Sequence, residues 1–149
     1  AYATYAAEVE VDTDTGEVQV LRIAAYVDAG RMIRPIGAEM QVEGGAAMAL
    51  GQALTEELKQ KDGWPVTDGL TTYLIPTTYD VPLEITSEFV DEWVPMGDLG
   101  AKGMAELVIV PVAPAVANAI YNAVGARVTQ LPITPERLLL ALNKNEAEE

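Results

Sequence analysis

Two alternating runs, Glu8-Val9-Glu10-Val11 and Val18-Gln19-Val20-Leu21, flank the segment Asp12-Thr13-Asp14-Thr15-Gly16. Alternation with period two places apolar side chains on one face of a strand, and the Asp/Thr/Gly segment is turn chemistry, with Gly16 available for φ > 0. Residues 4–28 therefore read as a β-hairpin. The second run continues through Ala24, Ala25, Tyr26 and Val27. So long an apolar run marks a strand that becomes central in a sheet. Asp28-Ala29-Gly30-Arg31 ends it.

Residues 38–60 read as one long glycine-rich helix. Met40, Gly44, Ala47, Gly51, Leu54 and Leu58 share a face at spacings of three and four, and Lys59 to Gly63 close it. A glycine costs about 1 kcal/mol relative to alanine inside a helix. A helix that carries several packs against something very close or begins beside a ligand. Residues 62–82 are rich in Gly, Pro, Thr and Asp and read as turns, with a short helix near 69–74. Leu83–Val90 alternates and reads as a strand, and 91–103 as a loop.

Ala113–Val124 reads as a helix, with Pro114 in its first turn and Gly125 as its C-terminal cap. Thr134-Pro135-Glu136 opens a last helix that runs through Leu142. The expectation is an α+β fold: a mixed sheet with an N-terminal β-hairpin, one long glycine-rich helix and two C-terminal helices, all in a single domain over 1–149. Residues 143–149 read as a disordered acidic tail.

Charge narrows the function. Nine basic and 23 acidic residues give a net charge of −14. That leaves too little Lys and Arg for a nucleic-acid face or for attraction to an anionic membrane. The chain has no cysteine and no histidine. Disulfides, zinc fingers, iron–sulfur ligation and Ser–His or Cys–His nucleophile pairs are therefore absent from it. Any metal chemistry must come from a metal held elsewhere or carried by a cofactor. No apolar stretch approaches the roughly 20 residues of a membrane span. Nothing demands an oxidising compartment, and a cytoplasmic setting is expected. The chain begins almost directly on strand-like alternation and lacks an initiator Met. The expectation is a fragment or a boundary inside a longer protein.

Two polar groups stand out. Glu106 follows Gly100-Ala101-Lys102-Gly103-Met104-Ala105 and precedes the apolar run LVIVPVAPAV. A carboxylate at such a boundary suits a general base when its surroundings are partly dry. Gln41 opens QVEGG, where Gly44 and Gly45 let a backbone approach a ligand. Other readings stand beside these. Glu106 could be a first-turn acid complementing a helix dipole or a partner of Lys102, Gln41 a solvent-facing helix residue, and the glycine pair plain helix–sheet packing. Asp28 reads as a turn former, and Arg127 and Arg137 as ion-paired or surface charges.

The order and spacing of EVEVDTDTGEVQVLR, DAGRMIRP, QVEGGAAMALGQALTEEL, GAKGMAE and PVAPAVANAIYNAVGARVTQLPITPERLLLAL resemble one known family. It is the C-terminal part of the molybdenum-binding large subunit of the xanthine oxidase and aldehyde oxidoreductase family, the molybdenum hydroxylases. The resemblance runs along nearly the whole chain.

It implies that Glu106 is the base of a hydroxylation that uses water as its oxygen source, with an aldehyde or N-heterocycle as substrate. Gln41 matches a glutamine beside the cofactor. Gly44, Ala101, Lys102, Gly103, Met104 and Ala105 match backbone that passes close to it. The implied cofactor is a molybdenum–pterin, as molybdopterin or its cytosine dinucleotide. The implied partners are the rest of the large subunit and domains or subunits carrying iron–sulfur clusters and FAD. The family more often has glycine just before the glutamate; here Ala105 stands there, with less backbone freedom. Only the last cofactor-binding segments of the family are present, which implies an incomplete site in the isolated chain. The alternative is a non-catalytic structural or interaction module that keeps the fold without completing a cofactor site.

Overall fold

The computed structural model describes residues 1–93, 95 and 98–148. The hairpin is present as β1 (Tyr2–Val11) and β2 (Val18–Asp28), paired antiparallel. Its turn is held by Asp12, whose Oδ1 accepts the N–H groups of Asp14 at 2.8 Å and Thr15 at 3.0 Å. β2 is the central strand of a mixed sheet. Its other edge pairs parallel with a later strand, Glu84–Val90, from Arg22↔Glu84 to Asp28↔Val90.

One irregularity sets which β2 side chains turn inward. Glu8 pairs with Arg22 and Val9 with Val20, so Leu21 is an extra residue in the ladder. Such a bulge shifts the alternation by one position. Val20 is buried before it, and Ile23, Ala25 and Val27 after it, while Leu21 is exposed.

The long helix, α1, spans Pro35–Leu54, starting three residues earlier and ending six earlier than 38–60. Residues 56–59, read as part of its last turns, are irregular, and a small hairpin of β3 (Gln60–Lys61) and β4 (Trp64–Pro65) follows them. Asp62 and Gly63 between them both have positive φ, 51° and 83°, the geometry that a two-residue hairpin turn requires. No helix forms near 69–74; Thr72 and Tyr73 both donate to the Gly69 carbonyl in a single turn. The strand Glu84–Val90 is β5, starting one residue later than read. Within the loop read over 91–103, residues 94, 96 and 97 lie outside the described residues.

α2 (Val112–Val124) carries Pro114 in its first turn and ends on Gly125 at φ 72°. α3 begins at Pro135 behind Thr134, whose Oγ1 accepts the Arg137 N–H at 3.3 Å, and runs to Glu148. Arg137 also ties α3 to the chain beyond α1, donating to Pro132 O at 2.7 Å and Glu57 Oε1 at 2.6 Å. The fold is thus α+β, with a mixed sheet, an N-terminal hairpin and three helices. No helix among the described residues is long and apolar enough to cross a membrane.

The face that α1 buries is rotated from the Met40–Gly44–Ala47–Gly51 stripe. Val42, Ala46, Ala49 and Ala53 are fully buried, whereas Met40 is 62% exposed and Gly44 lies at the surface. The reason is small size: alanines, not the larger side chains, allow the neighbouring chain to come close. At Gly45 the neighbour is Val108, whose Cγ2 occupies the place a Cβ would need. At Gly44 the same position is open, with nothing within 4 Å. α1 is apolar nearly all round, which is the pattern of a helix enclosed by more protein than one sheet face supplies. Its uncovered side presents Ile36, Met40 and Met48.

The two adjacent glycines should therefore respond oppositely to alanine. Gly45→Ala should lose about 1–3 kcal/mol through overpacking against Val108. Gly44→Ala should gain up to about 1 kcal/mol through helix propensity. Urea unfolding of the two variants checks both signs.

Candidate active site

The end of β2 and the beginning of α1 enclose, with residues 101–105, an open cavity of about 370 Å³. Its walls are built of small residues, Ala29, Gly37, Ala38, Ala101 and Ala105, and the flexible Met32 and Met104. Small side chains leave room, and the local backbone explains why two chain segments meet there. Gly30 and Gly100 take φ values of 64° and 77°, which a residue without Cβ adopts at no steric cost. Gly30 then bridges to Ala101, Arg31 N–H donates to Gly100 O at 3.0 Å, and Lys102 N–H to Ala29 O at 2.8 Å. Segment 100–102 is thereby stitched to the end of the central strand.

Side chains reinforce the stitch. Lys102 Nζ donates to both Asp28 carboxylate oxygens at 2.8 Å. Asp28 Oδ1 also accepts the Gly30 N–H at 3.1 Å, so Asp28 is both the turn former read from the sequence and an ion-pair partner. From the helix side, Gln41 Nε2 donates to Ala105 O at 3.0 Å. Among the described residues this is Gln41's only side-chain hydrogen bond.

Five of the candidate residues from the sequence, Gln41, Ala101, Lys102, Met104 and Ala105, line this one cavity. Gly103 is exposed in the same loop, and Gly44 is exposed on α1 one turn beyond Gln41; neither lines the cavity. Glu106 is exposed and follows the lining residue Ala105 directly. It stands at the start of a run of turns, where its carbonyl accepts the Ile109 N–H at 3.1 Å. It lies six residues before α2, so it is not a first-turn acid of that helix. Nor is it the partner of Lys102, which is held by Asp28. Among the described residues its carboxylate makes no ion pair or hydrogen bond.

Arg31 and Arg34 also line the cavity and had no signal beyond their place in DAGRMIRP. Among the described residues neither guanidinium has an acidic partner. Arg22, Lys59, Lys102 and Arg137 are all ion-paired, and Arg127 stacks over Tyr121 at 3.9 Å. In a chain of such negative charge, two uncommitted cations at one opening suit an anionic guest. No group of three or more His, Cys, Asp or Glu among the described residues could hold a metal ion directly.

Comparison with known proteins is consistent along the chain. Residues 1–82 match the family described as molybdopterin cofactor-binding domain. The chain is 37% identical over 144 residues to a probable xanthine dehydrogenase subunit of Bacillus subtilis (strain 168), covering 97% of this chain and 19% of that one. It is 40% identical over 141 residues to the aldehyde oxidoreductase molybdenum-binding subunit PaoC of Escherichia coli (strain K12), covering 93% and 19%. Among solved structures, quinoline 2-oxidoreductase from Pseudomonas putida 86 superposes with a TM-score of 0.85 at 37% identity, covering 91% of this chain and 18% of that one. The chain thus spans about a fifth of the length of the relatives it matches.

The Asp28 carboxyl is held below its ordinary value of 3.8, first by the Lys102 hydrogen bond and then by the Gly30 N–H, with burial acting against them. The stability this confers is fully present above 3.8 and is lost as the pH falls through the lower folded value. In Asp28→Asn the thermal midpoint should start lower at neutral pH and fall less steeply below about pH 4. Melting curves of the two proteins across that range measure the difference.

Proposed function

The chain belongs to the family of molybdopterin cofactor-binding domains, and from that premise we propose that it is a single unit within a molybdenum hydroxylase large subunit. In this reading it supplies the general base, Glu106, and one wall of the cofactor's cradle. The observation that carries the reading is the hydrogen bond from Gln41 to the Ala105 carbonyl. It joins the second turn of α1 to the backbone immediately before a glutamate whose carboxylate has no ion pair or hydrogen bond among the described residues.

The residues present fit such a cofactor. The small side chains of the cavity leave room for a flat ring system, and Arg31 and Arg34 offer charge to its phosphate. The lack of a protein metal-ligand cluster among the described residues suits a metal held through the cofactor's own sulfurs. Gln41, Ala101, Gly103, Met104 and Ala105 would form the wall, and Gly44 would let a neighbouring segment come close to α1. Lys102 belongs to the same wall through its stem.

When bound, a molybdenum–pterin, as molybdopterin or its cytosine dinucleotide, supplies the two-electron oxidation and activates a water-derived oxygen. The protein's part is proton transfer and placement. The Glu106 carboxylate accepts a proton from the attacking water, and Gln41 holds the preceding peptide so that the carboxylate meets it. Once the rest of the large subunit covers the cavity, its small and apolar walls would help to keep bulk water from the reacting atoms. The substrate class is an aldehyde or an N-heterocycle. Partner domains or subunits would carry the iron–sulfur clusters and FAD that take up the electrons. The rest of the large subunit completes the cradle and covers the exposed Ile36, Met40 and Met48 side of α1.

In the assembled enzyme, Glu106→Gln should lower kcat at least about 100-fold while molybdenum content stays at the unmodified level; turnover near that of the parent would remove Glu106 from the reaction. Gln41→Ala should reduce molybdenum retention or kcat by about 10-fold or more with little change in Tm. Elemental analysis alongside steady-state kinetics separates the two effects, and an unchanged rate and metal content would count against Gln41.

A further inference from the structure

We propose that Asp28 and Lys102 form a latch that sets where segment 100–106 leaves the sheet, and that Lys102 is thereby a positioning residue for Glu106 and not a ligand of the cofactor. This rests on the reading of Glu106 as the base.

Three observations carry it. First, the ammonium group is committed. Lys102 lines the cavity, but its Nζ is turned to both Asp28 oxygens at 2.8 Å, with the two side chains only 18% and 27% exposed. A cofactor contact would require breaking a charge-assisted pair on both its oxygens. Second, the acceptor is itself fixed. Asp28 ends the central strand and takes the Gly30 N–H on the same carboxylate, so the latch is referenced to the most constrained strand of the sheet. Third, the backbone between latch and base has few hydrogen bonds of its own, although the Met104 side chain packs against the core. Between Lys102 and Glu106 stand Gly103, Met104 and Ala105. Beside Gly103 nothing lies within 4 Å of where a Cβ would stand. Only at Ala105, through Gln41, is the backbone gripped again by a side chain. The base is therefore presented from a short span tethered at both ends, one tether from β2 and one from α1.

The depressed Asp28 pKa agrees with a carboxylate that stays ionised across the neutral range. The backbone bonds at 100–102 persist without the ion pair, so its loss loosens the span without freeing it, and a displacement of about 1 Å at a reacting group can cost about 100-fold in rate.

The test is a double-mutant cycle in the assembled, cofactor-loaded enzyme, with Lys102→Met, Asp28→Asn, the two combined, and Lys102→Arg. Expected are a kcat about 10- to 100-fold lower in Lys102→Met, with KM and molybdenum content unchanged. Adding Asp28→Asn should cost no further factor beyond about twofold, since each change removes the same contact. Lys102→Arg should recover part of the rate, because a guanidinium can still meet the carboxylate. A raised KM or lost molybdenum at unchanged kcat would make Lys102 a ligand and overturn the latch. Losses that multiply across the cycle, or an unchanged kcat, would overturn it as well. If Lys102→Met does not fold, the combined neutral pair is read alone. Lowered kcat at constant KM then supports the latch, and parental kcat overturns it. Glu106→Gln run in parallel keeps the two readings apart. Retained turnover there removes the base itself, whereas lost turnover with an insensitive Lys102 removes only the latch.

Discussion

Helix α1 lies so close to the chain at Val108 that residue 45 has no room for a side chain. Much of the site follows from that contact. Alanines at 46, 49 and 53 extend it along the helix, and Val42 fills the space one turn earlier. With α1 held at this distance, Gln41 comes within hydrogen-bonding reach of the Ala105 carbonyl. A bulkier face would push the helix outward and leave the glutamine short of its acceptor. The close packing of small residues is thus a positional device as well as a source of stability: it fixes where the first two turns of α1 stand.

The sheet supplies the other reference. β2 has partners on both edges, antiparallel to β1 and parallel to β5, and its last residue, Asp28, meets a lysine 74 positions away. Everything at the cavity is hung from these two rigid elements. The intervening backbone is rich in glycine and alanine and has little preference of its own.

Much of this was legible in the residues, because it depends on local chemistry. The DTDTG turn, the caps at Thr134 and Gly125, and the first-turn Pro114 each act within a few positions of themselves. What escaped was set by contacts distant in sequence or by competition between similar signals. The apolar character of α1 runs almost all round, so its pattern could not say which stripe faces the core; Val108 decides that in favour of the alanines. The end of α1 falls earlier than its pattern suggests because Lys59 to Gly63 looks like a helix stop, while Asp62-Gly63 equally makes a hairpin turn. The extra residue at Leu21 leaves no mark in an unbroken apolar run. At the site, the motifs singled out Gln41 and the 101–106 segment together. The pairing of Asp28 with Lys102 and the two uncommitted arginines needed the folded chain to bring them into view.

The tether from Gln41 ends on a main-chain oxygen. A peptide carbonyl is present whatever side chain its residue bears, so the grip is indifferent to the identity of residue 105. A change of side chain at 105 would alter the cavity wall and leave that acceptor in place. The shape of the cavity wall and the anchoring of the loop are thereby carried by different atoms of two adjacent residues.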